Sequence, residues 1–398
     1  STQGYSSAAS DVYKRQCIDG HAPYLHGKDL CAYIASGVKS DHECTTPDEA
    51  VEKLRLGMYV MIREGTAAKD LDALMPVLKT CNTRKCIFVT DDRHPADLKE
   101  HINGMVRRAV EAGVDPVKAV QIASLNTAEY FGLKNLGAIA PGYKADLLIL
   151  PDLKTFKPDL VIKNGVVAAE NGKLIAELPE NEALAVRNSV NVRWITPEDF
   201  RIEANGSKVI ALEVIPHQLI TKSVVSEVKI EDGNAVSNID NDTLKICVIE
   251  RHRATGNIGK GFVKGFNLKC GAIASTVAHD SHNMIVIGTN DADMYAAAVA
   301  LIKCKGGKVV VKDGEVISEL PLPIAGLMSD RDFDYVVNKC EELNKTAHSI
   351  GCKIEDPFMT MGFLSLPVIP ELKVTDKGVF DTNKFDFIDI FEKAVVEV

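Results

Sequence analysis

Residues 40–62 read SDHECTTPDEAVEKLRLGMYVMI, and this stretch contains the alternation that decides the fold class. Thr46 and Glu49 have the spacing of a capping box, which predicts a helix that starts here and that Gly57 ends. Residues 58–62 are wholly apolar, as in a strand that is buried on both faces. The stretch is therefore predicted to be a polar loop, an amphipathic helix and a buried strand.

The same alternation continues on the C-terminal side of this stretch. The further predicted elements are a helix with Leu71, Leu74 and Leu78 on one face, a buried strand at 86–89, and helices at about 96–112 and 116–131. Buried strands that alternate with amphipathic helices predict a parallel α/β sheet.

After the α/β segment the sequence pattern changes twice. Short strands around the turn Asn164-Gly165 predict a small β unit, and β-branched runs with few helices predict an α+β domain near the C-terminus. We therefore predict five segments: a disordered or non-native tail at 1–16, the α/β segment at 17–135, the β unit at 136–177, a linker at 178–206 and the α+β domain at 207–398.

Composition excludes several classes of protein. The chain has 398 residues, 46% hydrophobic and 25% charged, with a net charge of −9. These values are typical of a folded soluble protein, and neither a membrane-spanning run nor a basic cluster for nucleic acid is present. The ten cysteines include no CxxC pair, so a zinc ribbon is excluded. Without a signal peptide they indicate reduced thiols in a cytoplasmic protein.

Three candidate metal ligands follow predicted strands. His21 and His42 each lie in a short polar run at a strand end, and Asp91 follows the strand at 86–89. In parallel α/β barrels the C-terminal strand ends meet at one face. A single histidine near a loop is more often structural than ligating, but three such groups at strand ends favour a divalent-metal site. Imidazole and carboxylate suit zinc, manganese or iron, which activate water for hydrolysis.

Six stretches resemble the adenine deaminases of the amidohydrolase superfamily, and the resemblance extends from about residue 17 to the C-terminus. They are IDGHAPYLHG (18–27), SDHECTTPDE (40–49), CIFVTDDRHP (86–95), ASLNTAEYFG (123–132), RHRATGNIGKG (251–261) and VAHDSHNMIVIGTND (277–291). The resemblance implies an α/β fold: the C-terminal half of a TIM-like metal-dependent hydrolase barrel, part of a β-sandwich, and an α+β adenine deaminase C-terminal domain.

The resemblance also implies an activity, the hydrolysis of adenine to hypoxanthine and ammonia. His21 and His42 are similar to the metal-binding histidines after the fifth and sixth barrel strands. Asp91 is similar to the aspartate after the eighth strand, which also accepts a proton from the attacking water. Asp92 is the alternative if the register is shifted by one. We expect Mn²⁺ as the metal, with Fe²⁺ and Zn²⁺ as alternatives.

The superfamily's His-x-His pair has no counterpart, because no such pair occurs in the sequence. The bridging carboxylate after the fourth strand is also missing. We expect the chain to begin just before the fifth barrel strand, to bind metal poorly by itself and to convert little adenine. The intact protein is expected to be a cytoplasmic homo-oligomer.

Further side chains are candidates for proton transfer and substrate binding. Glu43 and Glu64 are the candidate proton donors, although Glu43 could instead help to cap a helix and Glu64 could pair with Arg63 or Arg93. Arg93 is a candidate substrate-binding residue. His279, Asp280 and His282 form a polar cluster that we expect to close over adenine; a metal site and a plain hydrogen-bonded turn are the alternatives.

Two other functions stay open on the sequence. One is a different cyclic amidohydrolase, such as a dihydroorotase-like or hydantoinase-like enzyme, which would lack the C-terminal domain. The other is a non-catalytic binding protein that keeps part of a barrel.

Overall fold

The computed structural model describes residues 17–66, 68–177, 186, 188–216 and 218–391. The chain divides into two compact units, residues 1–180 and 181–398. The tail predicted at 1–16 lies outside the described residues. Among the described helices none is both long and apolar enough to cross a membrane.

A four-stranded parallel sheet forms the centre of the first unit. Its strands pair in chain order: β1 (Asp19–Gly20), β2 (Ser40–Asp41), β3 (Tyr59–Arg63) and β4 (Cys86–Val89). The helices are α1 (Gly27–Ala35), α2 (Pro47–Arg55), α3 (Leu71–Thr80), α4 (Ile102–Glu111), α5 (Pro116–Ala123) and α6 (Leu125–Tyr130). The predicted parallel α/β segment is therefore confirmed.

Both faces of this sheet are covered. Val60, Ile62 and Phe88 belong to the core that the helices share, and all three are buried. Met61 and Ile87 point to the other face and pack with Tyr130 of α6 in a small separate cluster. Burial on both faces explains why these strands lack the polar alternation of a half-exposed sheet.

Two predicted helices are interrupted. The helix predicted at 96–112 is a 3₁₀ turn, Pro95–Lys99, followed by α4 from Ile102. Arg93 Nη1 donates to the carbonyl oxygens of Asp97 (3.1 Å) and Glu100 (2.5 Å), which holds the chain in its non-helical path there.

The helix predicted at 116–131 is divided at Ser124 into α5 and α6. The Ser124 hydroxyl donates to the carbonyl oxygen of Val120 at 2.6 Å. A serine that bonds back to the preceding turn in this way tends to bend a helix.

A four-stranded antiparallel sheet follows within the first unit. Its strands are β5 (Leu147–Ile149), β6 (Leu160–Lys163), β7 (Val166–Glu170) and β8 (Lys173–Leu174). The predicted turn at Asn164-Gly165 joins β6 and β7, and both of its residues have positive φ, 50° and 81°. Asparagine and glycine tolerate that conformation, so the predicted hairpin is confirmed.

The second unit is built on an eight-stranded sheet. Its strands are β9 (Lys208–Val214), β10 (Thr221–Glu227), β13 (Leu244–Ile249), β14 (Ile258–Lys264), β15 (Ala272–Ser275), β16 (Met284–Gly288), β17 (Gly307–Lys312) and β18 (Glu315–Pro321). Their order in the sheet is β10-β9-β14-β13-β16-β15-β17-β18, and only the β14–β9 pair of that sheet is parallel.

Smaller sheets and three α-helices complete the described part of this unit. The pair β11 (Lys229–Glu231) and β12 (Asn234–Val236) is separate from β19 (Leu372–Thr375), β20 (Gly378–Asp381) and β21 (Asp386–Phe387). The helices are α7 (Asp291–Lys303), α8 (Phe333–Ser349) and α9 (Pro357–Gly362). Helices mixed with antiparallel strands agree with the predicted α+β character.

Successive residues of β13 pack into two different cores. Ile246 and Val248 belong to the core formed with α8 and α9, whereas Cys247 and Ile249 face the core that contains α7. This alternation is what the two-residue period of a strand produces when helices cover both faces of a sheet.

Part of the segment predicted as a linker packs into the cores of the second unit. The prediction placed the linker at 178–206, but Ile195, Phe200 and Ile202 are buried in cores of the second unit. Phe200 ends a 3₁₀ helix, Pro197–Phe200, that a Thr196–Asp199 capping box begins. A few apolar residues without a period are enough to anchor the segment, which explains why the sequence pattern did not reveal it.

A lysine of β19 is buried in the second unit, and no acid among the described residues pairs with it. The Lys373 side chain is fully buried and donates to the carbonyl oxygen of Leu219 at 3.0 Å. No carboxylate of the described residues forms an ion pair with it. Burial lowers the pKa of the Lys373 ammonium to about 8. In the unfolded chain the pKa returns to about 10.4, so between these values the unfolded state binds more protons, and stability rises with pH.

We therefore predict that Lys373→Met stabilises the protein more at pH 7 than at pH 10, by about 2 kcal/mol. The penalty of the buried charge is present below the folded-state pKa and disappears above the unfolded-state value. Urea unfolding of both proteins, followed by circular dichroism at the two pH values, measures the difference. Lys312→Met, at an exposed position, is the control. An equal change in unfolding free energy at both pH values would contradict a buried, protonated Lys373.

Candidate metal centre

The parallel sheet brings the ends of its strands to one edge. His21 follows β1, His42 follows β2, and Asp91 lies two residues beyond β4. Because the four strands are parallel and in register, the residues that follow them lie at the same edge. The structure thus brings together the three ligands predicted from the sequence, with Glu43 and Arg63 beside them.

The two imidazole rings are in contact. The ring centroids of His21 and His42 are 4.6 Å apart with the planes at 79°. His21 Nδ1 lies 3.6 Å from Glu43 Oε1, and His42 Nε2 lies 3.9 Å from Asp91 Oδ2. The ligand atoms of His21, His42 and Glu43 all lie within 4.8 Å of one another. The His21 side chain is 73% exposed and that of His42 only 15%.

Asp19, which the sequence analysis did not consider, orients His42. Its Oδ2 accepts from His42 Nδ1 at 3.0 Å, and its Oδ1 accepts from the Ser40 hydroxyl at 2.5 Å. Ser40 is in turn 2.6 Å from the Tyr130 hydroxyl. The bond to Nδ1 leaves Nε2 of His42 directed towards Asp91. A carboxylate that binds the second nitrogen of a ligating histidine is a common feature of metal sites, and this is the signal that could have identified Asp19.

Neighbouring side chains at this edge stabilise one another's charged forms. The hydrogen bond to Asp19 raises the pKa of His42, and the nearby carboxylate of Glu43 raises the pKa of His21. Burial by itself would raise the pKa of Asp19, but the bonds from His42 and Ser40 outweigh it and lower the pKa. Asp19 is therefore held as the carboxylate, the form that accepts a hydrogen bond from His42.

The Asp91 carboxylate is directed towards His42, with Oδ2 3.9 Å from Nε2. Asp91 has φ 60°, a left-handed conformation that aspartate adopts more readily than most residues. Its Oδ1 accepts from the backbone N–H of Asp92 at 2.7 Å, and the carbonyl oxygen of Asp92 accepts from the backbone N–H of Thr66. Asp91 as the metal ligand, with Asp92 as the alternative, stays a prediction.

Arg63 is a second residue that the sequence analysis did not place at the site. It is the last residue of β3, and its Nη1 lies 3.2 Å from Asp91 Oδ2 and 3.7 Å from Glu43 Oε1. Its Nε donates to Asp70 Oδ2 at 3.1 Å. Burial by itself would lower the pKa of Arg63, but Asp70 and Asp91 raise it. The position of Arg63 directly after the predicted strand at 58–62 is the sequence feature that could have identified it.

Glu64 and Arg93 do not join the histidines. The Glu64 carboxylate pairs with Arg108, and not with Arg63 or Arg93 as predicted, and it accepts from the backbone N–H of Leu71 at 3.3 Å. Arg93 donates through Nε to the carbonyl oxygen of Glu64 and through Nη1 to two further backbone carbonyls. Both side chains hold the loops after β3 and β4, and their proposed catalytic and substrate-binding roles stay predictions.

The predicted polar cluster of the second unit forms a loop between β15 and β16. The His279 ring stacks on Phe363 with centroids 4.5 Å apart, and the His282 ring lies 5.7 Å from that of His279. His282 Nδ1 accepts from the backbone N–H of Ala278, and burial lowers the pKa of His282. Asp280 Oδ1 lies 3.9 Å from His279 Nδ1. That this loop closes over the substrate stays a prediction.

Two family models match the chain. The model described as the amidohydrolase family matches residues 8–175, and the model described as the adenine deaminase C-terminal domain matches residues 218–386. Among solved structures, an amidohydrolase from Thermotoga maritima is 18% identical, with a TM-score of 0.30, over 39% of this chain and 45% of that one.

Curated relatives match along nearly the whole chain. It is 51% identical to an adenine deaminase of Desulfatibacillum aliphaticivorans and 49% identical to adenine deaminase 2 of Carboxydothermus hydrogenoformans. In both comparisons the match covers 95% of this chain and 67% of the relative. The chain thus spans about two thirds of the length of these relatives. On this similarity the chain belongs to the adenine deaminase family of amidohydrolases.

Proposed function

We propose that the complete gene product hydrolyses adenine to hypoxanthine and ammonia, with a divalent metal ion bound by His21, His42 and Asp91. The observation that carries the proposal is the meeting of these three side chains at one edge of the parallel sheet, in a chain of this family. The match of residues 218–386 to the adenine deaminase C-terminal domain favours adenine over the cyclic amides of other amidohydrolases.

His42 and Asp91 have the spacing of two ligands to one divalent metal ion, and the ligand atom of His21 is grouped with those of His42 and Glu43. Two ligands that are each about 2.1 Å from the same ion lie at most about 4.2 Å apart. The 3.9 Å between His42 Nε2 and Asp91 Oδ2 satisfies that limit. Two imidazoles with carboxylates suit Mn²⁺, Fe²⁺ or Zn²⁺ better than Ca²⁺ or Mg²⁺. When bound, such an ion would lower the pKa of water, which hydrolysis needs near neutral pH.

The side chains at this edge then have distinct roles. Asp91 accepts a proton from the water molecule that attacks C6 of adenine, and Arg63 at 3.2 Å offsets the negative charge of Asp91. Hydrolysis replaces the C6 amino group by oxygen and releases ammonia, so a protonated acid has to deliver a proton to ring N1 or to the leaving amine. Glu43 is the better placed candidate because it contacts His21 and Arg63.

The architecture of the complete protein is part of the proposal. The parallel sheet β1–β4 corresponds to the C-terminal half of a TIM-like barrel, and β5–β8 correspond to a portion of a β-sandwich. Such a half barrel, without the superfamily's His-x-His ligands, is expected to hold metal weakly. A homo-oligomeric state and a cytoplasmic location are expectations from the sequence.

The activity is tested with the complete gene product, stripped of metal with a chelator and reloaded separately with Mn²⁺ and Zn²⁺. We predict conversion of adenine to hypoxanthine with one ammonia per turnover, none in the metal-free protein, and little or none for the 398-residue chain. His42→Ala should lower the rate by about 100-fold or more. Turnover of dihydroorotate or hydantoin, but not of adenine, would contradict the proposed substrate. Two tightly held ions in the 398-residue chain would contradict its impairment.

Glu43 and Glu64 are separated by matched amide substitutions. We predict that Glu43→Gln lowers kcat by about 100-fold or more, as expected for loss of a general acid, with a smaller change in KM. Glu64→Gln should lower the midpoint of thermal unfolding, because it weakens the pair with Arg108. Its effect on kcat should be much smaller than that of Glu43→Gln. Steady-state kinetics and calorimetry on both variants measure the two effects. A wild-type kcat for Glu43→Gln would remove Glu43 from the mechanism.

Asp19 offers a test of ligand orientation. We predict that Asp19→Ala weakens metal binding by about 10- to 100-fold, because His42 loses the partner that fixes its ring. Competition with a fluorescent chelator measures the dissociation constant of Mn²⁺. Asp29→Ala, in the first turn of α1, is the matched control. An unchanged dissociation constant for Asp19→Ala would show that the ring needs no carboxylate partner.

A further inference from the structure

A second group of potential ligands lies in the interior of the first unit, next to the candidate metal centre. Asp41, Cys44 and Glu49 are all buried, and their ligand atoms lie within 4.8 Å of one another. The Lys53 ammonium already binds this group, with Nζ at 2.9 Å from Asp41 Oδ2 and 2.8 Å from Glu49 Oε1. All of the Lys53 side chain is buried. The group therefore holds the protein's own cation rather than a metal ion.

The third hydrogen bond of the ammonium reaches the loop after β1. Lys53 Nζ donates to the carbonyl oxygen of Ala22, the neighbour of His21, at 2.6 Å. Asp41 Oδ1 accepts from the backbone N–H of the same Ala22 at 2.8 Å. An ammonium group has three N–H donors, and all three are used here.

The same carboxylates hold the loop after β2. Asp41 Oδ2 accepts from the backbone N–H of Glu43 at 3.2 Å, and Glu49 Oε2 accepts from that of Thr45 at 3.2 Å. Glu49 Oε1 also accepts from the backbone N–H of Tyr24 at 2.9 Å, in the first loop. One buried network thus joins the segment after His21 to the segment around His42.

The charges of this network depend on one another. Burial by itself would lower the pKa of Lys53, but Glu49 and Asp41 raise it, so the amine is a cation. Without the cation two carboxylates would lie buried beside each other, which is strongly unfavourable. The loops would then have to move apart or admit water.

We propose that Lys53 is a positioning residue for metal binding: its buried ammonium, through Asp41 and Glu49, holds the His21 and His42 loops at the separation that one metal centre requires. The inference rests on the proposed function, since the spacing of the histidines matters only if both serve the same centre. Lys53 itself touches neither metal nor substrate in this proposal.

Lys53→Met in the complete gene product tests the proposal, with Lys245→Met as the matched control. Lys245 is also buried and paired with a carboxylate, Asp291 at 2.5 Å, but it lies in the second unit. The dissociation constant of Mn²⁺ is measured by chelator competition, kcat and KM are measured with adenine, and hydrogen exchange is measured on peptides that cover 18–25 and 40–46.

For Lys53→Met we expect Mn²⁺ binding to be about 10- to 100-fold weaker, kcat to fall more than KM for adenine changes, and both peptides to exchange faster. Lys245→Met should leave all of these at wild-type values. Folded Lys53→Met with wild-type Mn²⁺ affinity and wild-type exchange would overturn the proposal. If Lys53→Met does not fold, Glu49→Gln is measured in the same way, and wild-type values for that variant overturn it equally.

The outcomes separate this inference from the proposed function. A wild-type protein that binds no Mn²⁺ and leaves adenine unchanged contradicts the proposed function. A wild-type protein that does both, with Lys53→Met or Glu49→Gln indistinguishable from it, overturns only the positioning role.

Discussion

The buried ion pairs of Lys53 with Asp41 and Glu49 are the interaction on which the arrangement of the first unit's site depends. Strands β1 and β2 have only two residues each, so their ladder contributes few hydrogen bonds to hold the loops that follow them. Side-chain bonds to backbone atoms of both loops supply what the short ladder lacks. A buried cation between two carboxylates also tolerates little displacement, because any gap leaves a charge without a partner.

Helix α2 supplies the two members of this network that the sheet does not. Glu49 and Lys53 are four residues apart and therefore lie on the same face of the helix, the face that packs on the sheet. The Thr46 hydroxyl accepts from the backbone N–H of Glu49 and fixes where the helix begins. The capping pattern thus determines where the helix begins. It thereby determines which backbone atoms of the two loops Glu49 and Lys53 can reach.

The sequence predicted the elements of the first unit well because apolar periods and capping residues are local signals. His21, His42 and Asp91 were predicted for the related reason that parallel strands bring their C-terminal ends to one edge. Asp19 and Lys53 were not predicted, because their roles depend on which side chains face each other across the sheet. The breaks at Ser124 and before Ile102 were missed because they depend on one hydrogen bond from Ser124 and two from Arg93, which leave no periodic pattern in the sequence.

Diffraction from crystals of the complete gene product, loaded with Mn²⁺ and measured at the manganese absorption edge, tests the central claim most directly. The account predicts an anomalous peak at about 2.0 to 2.2 Å from His42 Nε2 and from an oxygen of Asp91, with His21 as a further ligand. It also predicts Asp19 on Nδ1 of His42 and the Lys53 ammonium still between Asp41 and Glu49. An adenine-converting protein whose metal ion lies away from these three residues would contradict it.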